Sequence, residues 1–145
     1  MMNITLTLAA NQELDKALDL LEKSKLPTSD IGENVELYTV YDQEDLIGTI
    51  GLEAFNTEGL LRSFCLDFDV QNIGYGSEIL TIFEERIREK GIQNLYLLTT
   101  TAQGFFEKNR YVTISREEVS EPIRETAEFK GVCPASAIVM KKVLL

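Results

Sequence analysis

The chain has 145 residues, 44% hydrophobic and 26% charged, the proportions of one soluble globular domain large enough to bury a core. Its 24 acids outnumber 14 bases for a net charge of −10, which disfavours nucleic acid or anionic membrane as a partner, because phosphates need cations. With no histidine, the commonest general base and metal ligand are both missing; no metal is expected, and proton transfer falls to Glu, Asp, Tyr, a thiol or water.

Ile4 to Leu8 alternates apolar and polar, as a half-buried strand does. Asn11 is positioned to cap a helix whose Leu14, Ala17, Leu18 and Leu21 recur at helical spacing. Pro27 ends that pattern, and Thr28 to Glu33 reads as a polar connection with room for one helical turn. Val35 to Tyr41 and Leu46 to Ala54 read as two strands joined by the polar turn Asp42 to Asp45. The loop Phe55 to Gly59 leads to a third, Leu60 to Asp67, making three antiparallel neighbours. From Gly76 a helix carries Ile79, Leu80, Ile82, Phe83 and Ile87 on one face, with Gly91 as its stop.

Leu95 to Thr100 is almost continuously apolar, the mark of a central strand covered on both faces. Strand, helix, strand in this order predicts a parallel crossover. Thr101 can cap a short helix through Phe105, Phe106 and Lys108, followed by a strand over Tyr111 to Ser115. A helix is expected after Ser120-Glu121-Pro122, and Ala137 begins a last strand that continues to Leu144. Nothing marks a linker, so residues 1–145 are expected to form one domain.

Cys65 and Cys133 sit in apolar contexts without metal-ligand spacing and read as buried free thiols, with a disulfide between them as the alternative. The chain start lacks the basic opening and apolar core of a secretory leader, and a reducing cytosol is the expected compartment.

The informative stretch joins the third of those strands to the following helix. It reads Leu61-Arg62-Ser63-Phe64-Cys65-Leu66, an acidic turn, then Gln71-Asn72-Ile73-Gly74-Tyr75-Gly76-Ser77. A helix's first turn has unpaired N–H groups and the positive end of its dipole, and small residues let an anion approach them. Glycine spacing alone does not separate an anion cradle from an ordinary strand-to-helix turn. A dinucleotide fingerprint would want a small residue where Ile79 stands, and a P-loop would want Gly-Lys-Ser/Thr.

Gln-x-x-Gly-x-Gly after an apolar strand resembles motif A of the GNAT superfamily of N-acetyltransferases, and the order of elements matches that fold along the whole chain. A second motif of that superfamily, aromatic-Tyr-x-x-x-Gly-Phe, is met in altered form by Phe105 to Tyr111, with Phe106 for Tyr and Arg110 for Gly. Leu61-Arg62-Ser63, Leu95 to Thr101 and Cys133-Pro134-Ala135-Ser136-Ala137 resemble a narrower branch, the acetyltransferases associated with bacterial arsenic-resistance operons.

The resemblance implies an α/β (α+β) fold with a mixed sheet of six to seven strands, splayed between the fourth and fifth, flanked by helices. It implies acetyl-CoA as cosubstrate, its pyrophosphate on Gln71, Asn72, Ile73, Gly74, Tyr75, Gly76 and Ser77 and its pantetheine amides on the backbone of Phe64 and Leu66. The reaction implied is acetyl transfer to the amine of a small, anionic, amino-acid-like molecule, with arsenical or phosphinothricin-like detoxification as one form. The alternative is a non-catalytic coenzyme A-binding sensor or assembly module, and a homodimer is left open.

Phe106 replaces the tyrosine that often protonates the departing thiolate, so its ring reads as core packing, leaving Tyr75, Tyr111 or water for that proton. Glu53 is the candidate base, acting through water; its alternative is a surface carboxylate. Strand alternation puts Arg62 on the face of Phe64 and Leu66, where a planar donor suits a substrate oxyanion. An ion pair with Glu53 or Asp67 is the alternative. Thr99 and Thr101 could line the acceptor site, although such hydroxyls are usually structural. Cys133 as a soft ligand for a trivalent arsenical competes with simple packing.

Overall fold

A computed structural model describes residues 3–26, 28–67, 74–132 and 136–144, with the side chain of Val132 left out. Seven strands form one sheet in the order β1-β2-β3-β4-β5-β7-β6. In chain order the elements are β1 (Ile4–Leu8), α1 (Gln12–Lys23), β2 (Glu36–Asp42), β3 (Asp45–Phe55), β4 (Glu58–Leu66), α2 (Tyr75–Glu89), β5 (Asn94–Thr99), α3 (Gln103–Lys108), β6 (Val112–Ile114), α4 (Glu121–Arg124) and β7 (Ile138–Val143).

The first four strands are an antiparallel meander. Its two hairpin turns place Gln43 and Asn56 at φ 57° and 58°, conformations that cost a non-glycine side chain least when it is short and polar. β4 then crosses over through α2 to a parallel β5, and β7 inserts between β5 and the short edge strand β6. This is the splayed mixed sheet expected from the sequence.

Helices cover both faces. On one, α2 buries Ile79, Leu80, Phe83 and Ile87 against Leu61, Leu95, Leu97 and Met140. On the other, α1 sets Ala17 and Leu21 against Val35, Leu37 and Cys65. On that face α4 adds Ile123 over Leu60, Tyr96 and Val139. Each helix supplies one apolar stripe, so burial of that stripe fixes which way it faces.

Three local expectations are revised. Residues 28–34 form turns and no helix. The helix expected after Ser120 starts there but is only the four-residue α4, preceded by a 3-10 turn at Arg116–Glu118 and followed by a wide helical turn over Glu128–Val132. Within that last turn Gly131 sits at φ 137°, a backbone angle that side chains resist. Thr101 does not cap α3: the N-cap is Ala102, whose N–H donates to the hydroxyl of Thr99 at 3.0 Å.

Candidate functional site

β4 and β5 pair over only three residues, Glu58 with Asn94, Gly59 with Leu95 and Leu60 with Tyr96. Beyond Leu60 the parallel ladder stops while both strands continue, to Leu66 and Thr99. Two diverging strands expose backbone edges in the middle of a sheet, an arrangement that an extended amide-bearing ligand can fill.

β4 also carries an extra residue. Thr49 faces Cys65 and Gly51 faces Arg62, so two residues, Ser63 and Phe64, stand opposite Ile50 alone. Ser63 takes φ 55°, the left-handed conformation of a β-bulge. The bulge corrects the alternation read from sequence. Leu61, Phe64 and Leu66 pack on the α2 face, whereas Leu60 and Cys65 belong to the opposite clusters. Arg62, adjacent to Leu61, faces with Leu60 and therefore lies across the sheet from Phe64 and Leu66.

The Asp67 N–H donates to the Ile47 carbonyl at 2.7 Å. Alternation then turns the N–H and C=O of Cys65 toward β3, and those of Phe64 and Leu66 the other way, toward the opening.

On its own face Arg62 is buried and surrounded by acids. Its guanidinium forks onto Asp30, one arm at 2.7 Å, and reaches Glu53 at 2.8 Å and Glu128 at 3.6 Å, while Nε donates to the Ser63 hydroxyl at 3.2 Å. Burial works against its charge; the Asp30 carboxylate, with Glu128 and Glu53, outweighs burial and keeps it firmly protonated. Reciprocally, the hydrogen bond from Arg62 holds Asp30 below the usual carboxylate range. Glu53 is 3% exposed, not a surface carboxylate, and accepts a second bond from Asn34 at 3.3 Å. The ion pair with Glu53 was readable from sequence as one of two options. Asp30 and Glu128 carried no signal, because each sits in a turn distant along the chain.

The α2 N-terminus lies beside the opening. Gly74 precedes it at φ 83°. Gly76 also has a packing reason to be glycine: a Cβ there would stand 3.0 Å from the Phe105 ring and 3.8 Å from Leu66. The helix therefore starts pressed against the aromatic floor formed by Phe64, Phe105 and Phe106, with centroid separations of 5.1–6.4 Å. Ser77 accepts from Asn109 at 3.2 Å. Gln71, Asn72 and Ile73 lie outside the described residues, as does Cys133.

Phe106 is core, stacked edge-on against Tyr111 at 5.4 Å. Of the two tyrosines considered as proton donors, Tyr75 donates its hydroxyl to Asp42, and that bond pushes its pKa up. Tyr111 donates to Glu84 at 2.7 Å and is pushed up chiefly by burial. Thr101 is exposed at the bend before α3. A groove of about 860 Å³ lies elsewhere, lined by α2 residues such as Arg88 and by Val112, Lys141 and Val143, and includes no residue of β4. No group of three or more Cys, Asp or Glu with metal-binding geometry occurs among the described residues.

Similarity to known proteins agrees with this architecture. An amino-acid acetyltransferase of Ralstonia nicotianae is 28% identical over 108 residues, covering 72% of this chain and 23% of that protein. N-acetylglutamate synthase from Neisseria gonorrhoeae, solved with coenzyme A and N-acetyl-glutamate, superposes with a TM-score of 0.82 at 20% identity. That match takes in 100% of this chain and 36% of the synthase, so the chain spans well under half the length of both proteins. A GNAT-family acetyltransferase of Staphylococcus aureus Mu50 matches along 99% of this chain and 100% of its own, with a TM-score of 0.77 at 17% identity. The family model described as an acetyltransferase (GNAT) domain matches residues 33–113, and the chain belongs to that family.

Proposed function

We propose that the chain transfers acetyl from acetyl-CoA to the amine of a small, amino-acid-like molecule. The observation that carries this is the sheet that closes at Leu60 and Tyr96 and then opens, with bare backbone on one rim and a helix N-terminus at its mouth. The pyrophosphate sits on the first turn of α2, at Gly74 to Ser77, together with Gln71, Asn72 and Ile73. The Phe64 carbonyl and the backbone of Leu66 take the pantetheine amides.

The amine nitrogen attacks the thioester carbonyl carbon, forming the C–N bond. The Phe64 N–H receives the carbonyl oxygen as it becomes an oxyanion. Collapse breaks the C–S bond, and coenzyme A leaves as thiolate; the proton lost by nitrogen passes to water or Glu53. A thiol titrates near ~8.5, so its thiolate departs at neutral pH without a strong acid, consistent with Phe106 in the tyrosine position. Holding amine and thioester together supplies much of the acceleration, up to ~7–11 kcal/mol in well-oriented systems.

An anionic acceptor would have to be held by other groups than Arg62, whose fork is occupied by Asp30 and Glu53. Arg62 serves the site through Glu53, and Thr99 and Thr101 stand where β5 leaves the opening. Resemblance at Leu61-Arg62-Ser63 supports arsenical or phosphinothricin-like amino acids as members of the acceptor class. Cytoplasmic residence fits acetyl-CoA as cosubstrate.

The test is free-thiol release from acetyl-CoA over the L-amino acids and their phosphinic and arsinic analogues, with mass detection of product. Amine-dependent release with one N-acetyl product per thiol is expected. Coenzyme A binding without release would make the chain a sensor or assembly module; no binding would overturn both readings.

A further inference from the structure

The bulge in β4 needs a cause, because Ser63 is not a glycine and its φ of 55° is costly for an L side chain. The cause lies on β3. Thr49, fully buried, donates its hydroxyl to the Ser63 carbonyl at 2.8 Å. Its proton being given there, the same hydroxyl accepts from the Cys65 thiol, 3.2 Å away. One side chain thus ties together the residues on either side of Phe64.

The glycines flanking Thr49 bring β3 close to β4. A Cβ at Gly48 would stand 2.4 Å from the Cys65 carbonyl oxygen, and one at Gly51 3.3 Å from that of Arg62. β3 therefore presses bare backbone against β4 on both sides of the threonine, and only the threonine reaches out to hold the extra residue. On the same face, Arg62 Nε grips the Ser63 hydroxyl at 3.2 Å. A carbonyl held by Thr49 fixes the Ser63–Phe64 peptide plane, and the N–H of that same peptide belongs to Phe64.

We propose that Thr49 is a positioning residue for acetyl transfer: by holding the Ser63 carbonyl it aims the Phe64 N–H at the thioester oxygen. This rests on the acetyltransferase reading above and deepens it. The bonds made and broken in the transfer are unchanged; Thr49 alters only how well the oxyanion is met. An N–H aimed at the oxyanion lowers the barrier more than it strengthens ground-state binding. Loss of Thr49 therefore shows in kcat and leaves coenzyme A affinity alone.

The experiment uses the full chain with acetyl-CoA and the fastest amine of the panel. Thr49→Val, which keeps the shape and removes the hydroxyl, is expected to lower kcat at least tenfold, with coenzyme A Kd by calorimetry within threefold of the parent. Thr49→Ser, which restores the hydroxyl, is expected within threefold of the parent in both. Thr49→Cys keeps a weaker donor and should fall between, which decides the matter should Thr49→Val not fold. Parent-like kcat in Thr49→Val or Thr49→Cys overturns the assignment, as does joint loss of kcat and coenzyme A affinity. A parent chain that neither binds coenzyme A nor releases thiol overturns the acetyltransferase reading and this assignment with it.

Discussion

Arg62 and its carboxylates show how much one side chain can govern. Asp30 comes from the turn after α1, Glu53 from β3 and Glu128 from the turn after α4, so one guanidinium ties three distant segments to β4. Taking these charges out of water is costly, and removing the cation alone leaves that cost uncompensated. Arg62→Met should destabilise the fold by about 3–5 kcal/mol at pH 7, read by urea denaturation. Arg62→Lys should lose less, since charge remains but the fork does not. The pH dependence has a definite sign. Asp30 is held below its unfolded pKa by Arg62, so its share of stability is present above ~3.9 and fades as pH falls through the depressed folded value. The gap between parent and Arg62→Met should narrow on acidification from pH 7 to below 4. A gap of constant size would show that packing, not charge, is what Arg62 supplies.

At the next scale, the start of α2 depends on two glycines for two reasons. Gly74 needs a left-handed backbone at φ 83°, so Gly74→Ala should cost about 1–2 kcal/mol. Gly76 needs room beside Phe105, so Gly76→Val must push the helix terminus off the aromatic floor. Its coenzyme A affinity should fall at least tenfold by calorimetry while circular dichroism keeps its folded form; an unchanged Kd would refute the placement of pyrophosphate at this turn. Most elements were legible because their periodicity is strong: the alternation of Ile4 to Leu8, the stripe of Ile79, Phe83 and Ile87, and the unbroken apolar run of β5. The face of Arg62 was not, because a bulge at a serine leaves no mark in the residue pattern, and one inserted residue reverses every alternation beyond it. The helix expected after Ser120 is cut to four residues, and Gly131 breaks the backbone of the turn that follows. Phe106 as core and the motif-A glycines were legible as residues, though the Phe105 contact that demands Gly76 arises only in three dimensions.

Over the whole molecule, 24 acids share 14 bases, and the shortage of cations is met in part by phenols. All five tyrosines donate to carboxylates: Tyr38 to Glu36, Tyr41 to Glu13, Tyr75 to Asp42, Tyr96 to Glu58 and Tyr111 to Glu84. A neutral donor satisfies a carboxylate without adding charge, but only while it keeps its proton. Burial raises the pKa of Tyr38, Tyr41, Tyr96 and Tyr111, and the Asp42 hydrogen bond raises that of Tyr75. The folded state thus favours the protonated phenols, so their contribution is complete below the ordinary value of ~10 and is lost as pH rises through the elevated folded values. Tyr111, 2% exposed, should dominate; Tyr75 and Tyr41 are partly wetted and add less. Absorbance at 295 nm in native buffer should therefore begin to rise above pH 10 and climb together with loss of the near-ultraviolet circular dichroism. In urea the same phenols should titrate near ~10. Five phenols ionising near 10 with the tertiary signal intact would mean that these bonds do not hold the acidic surface together.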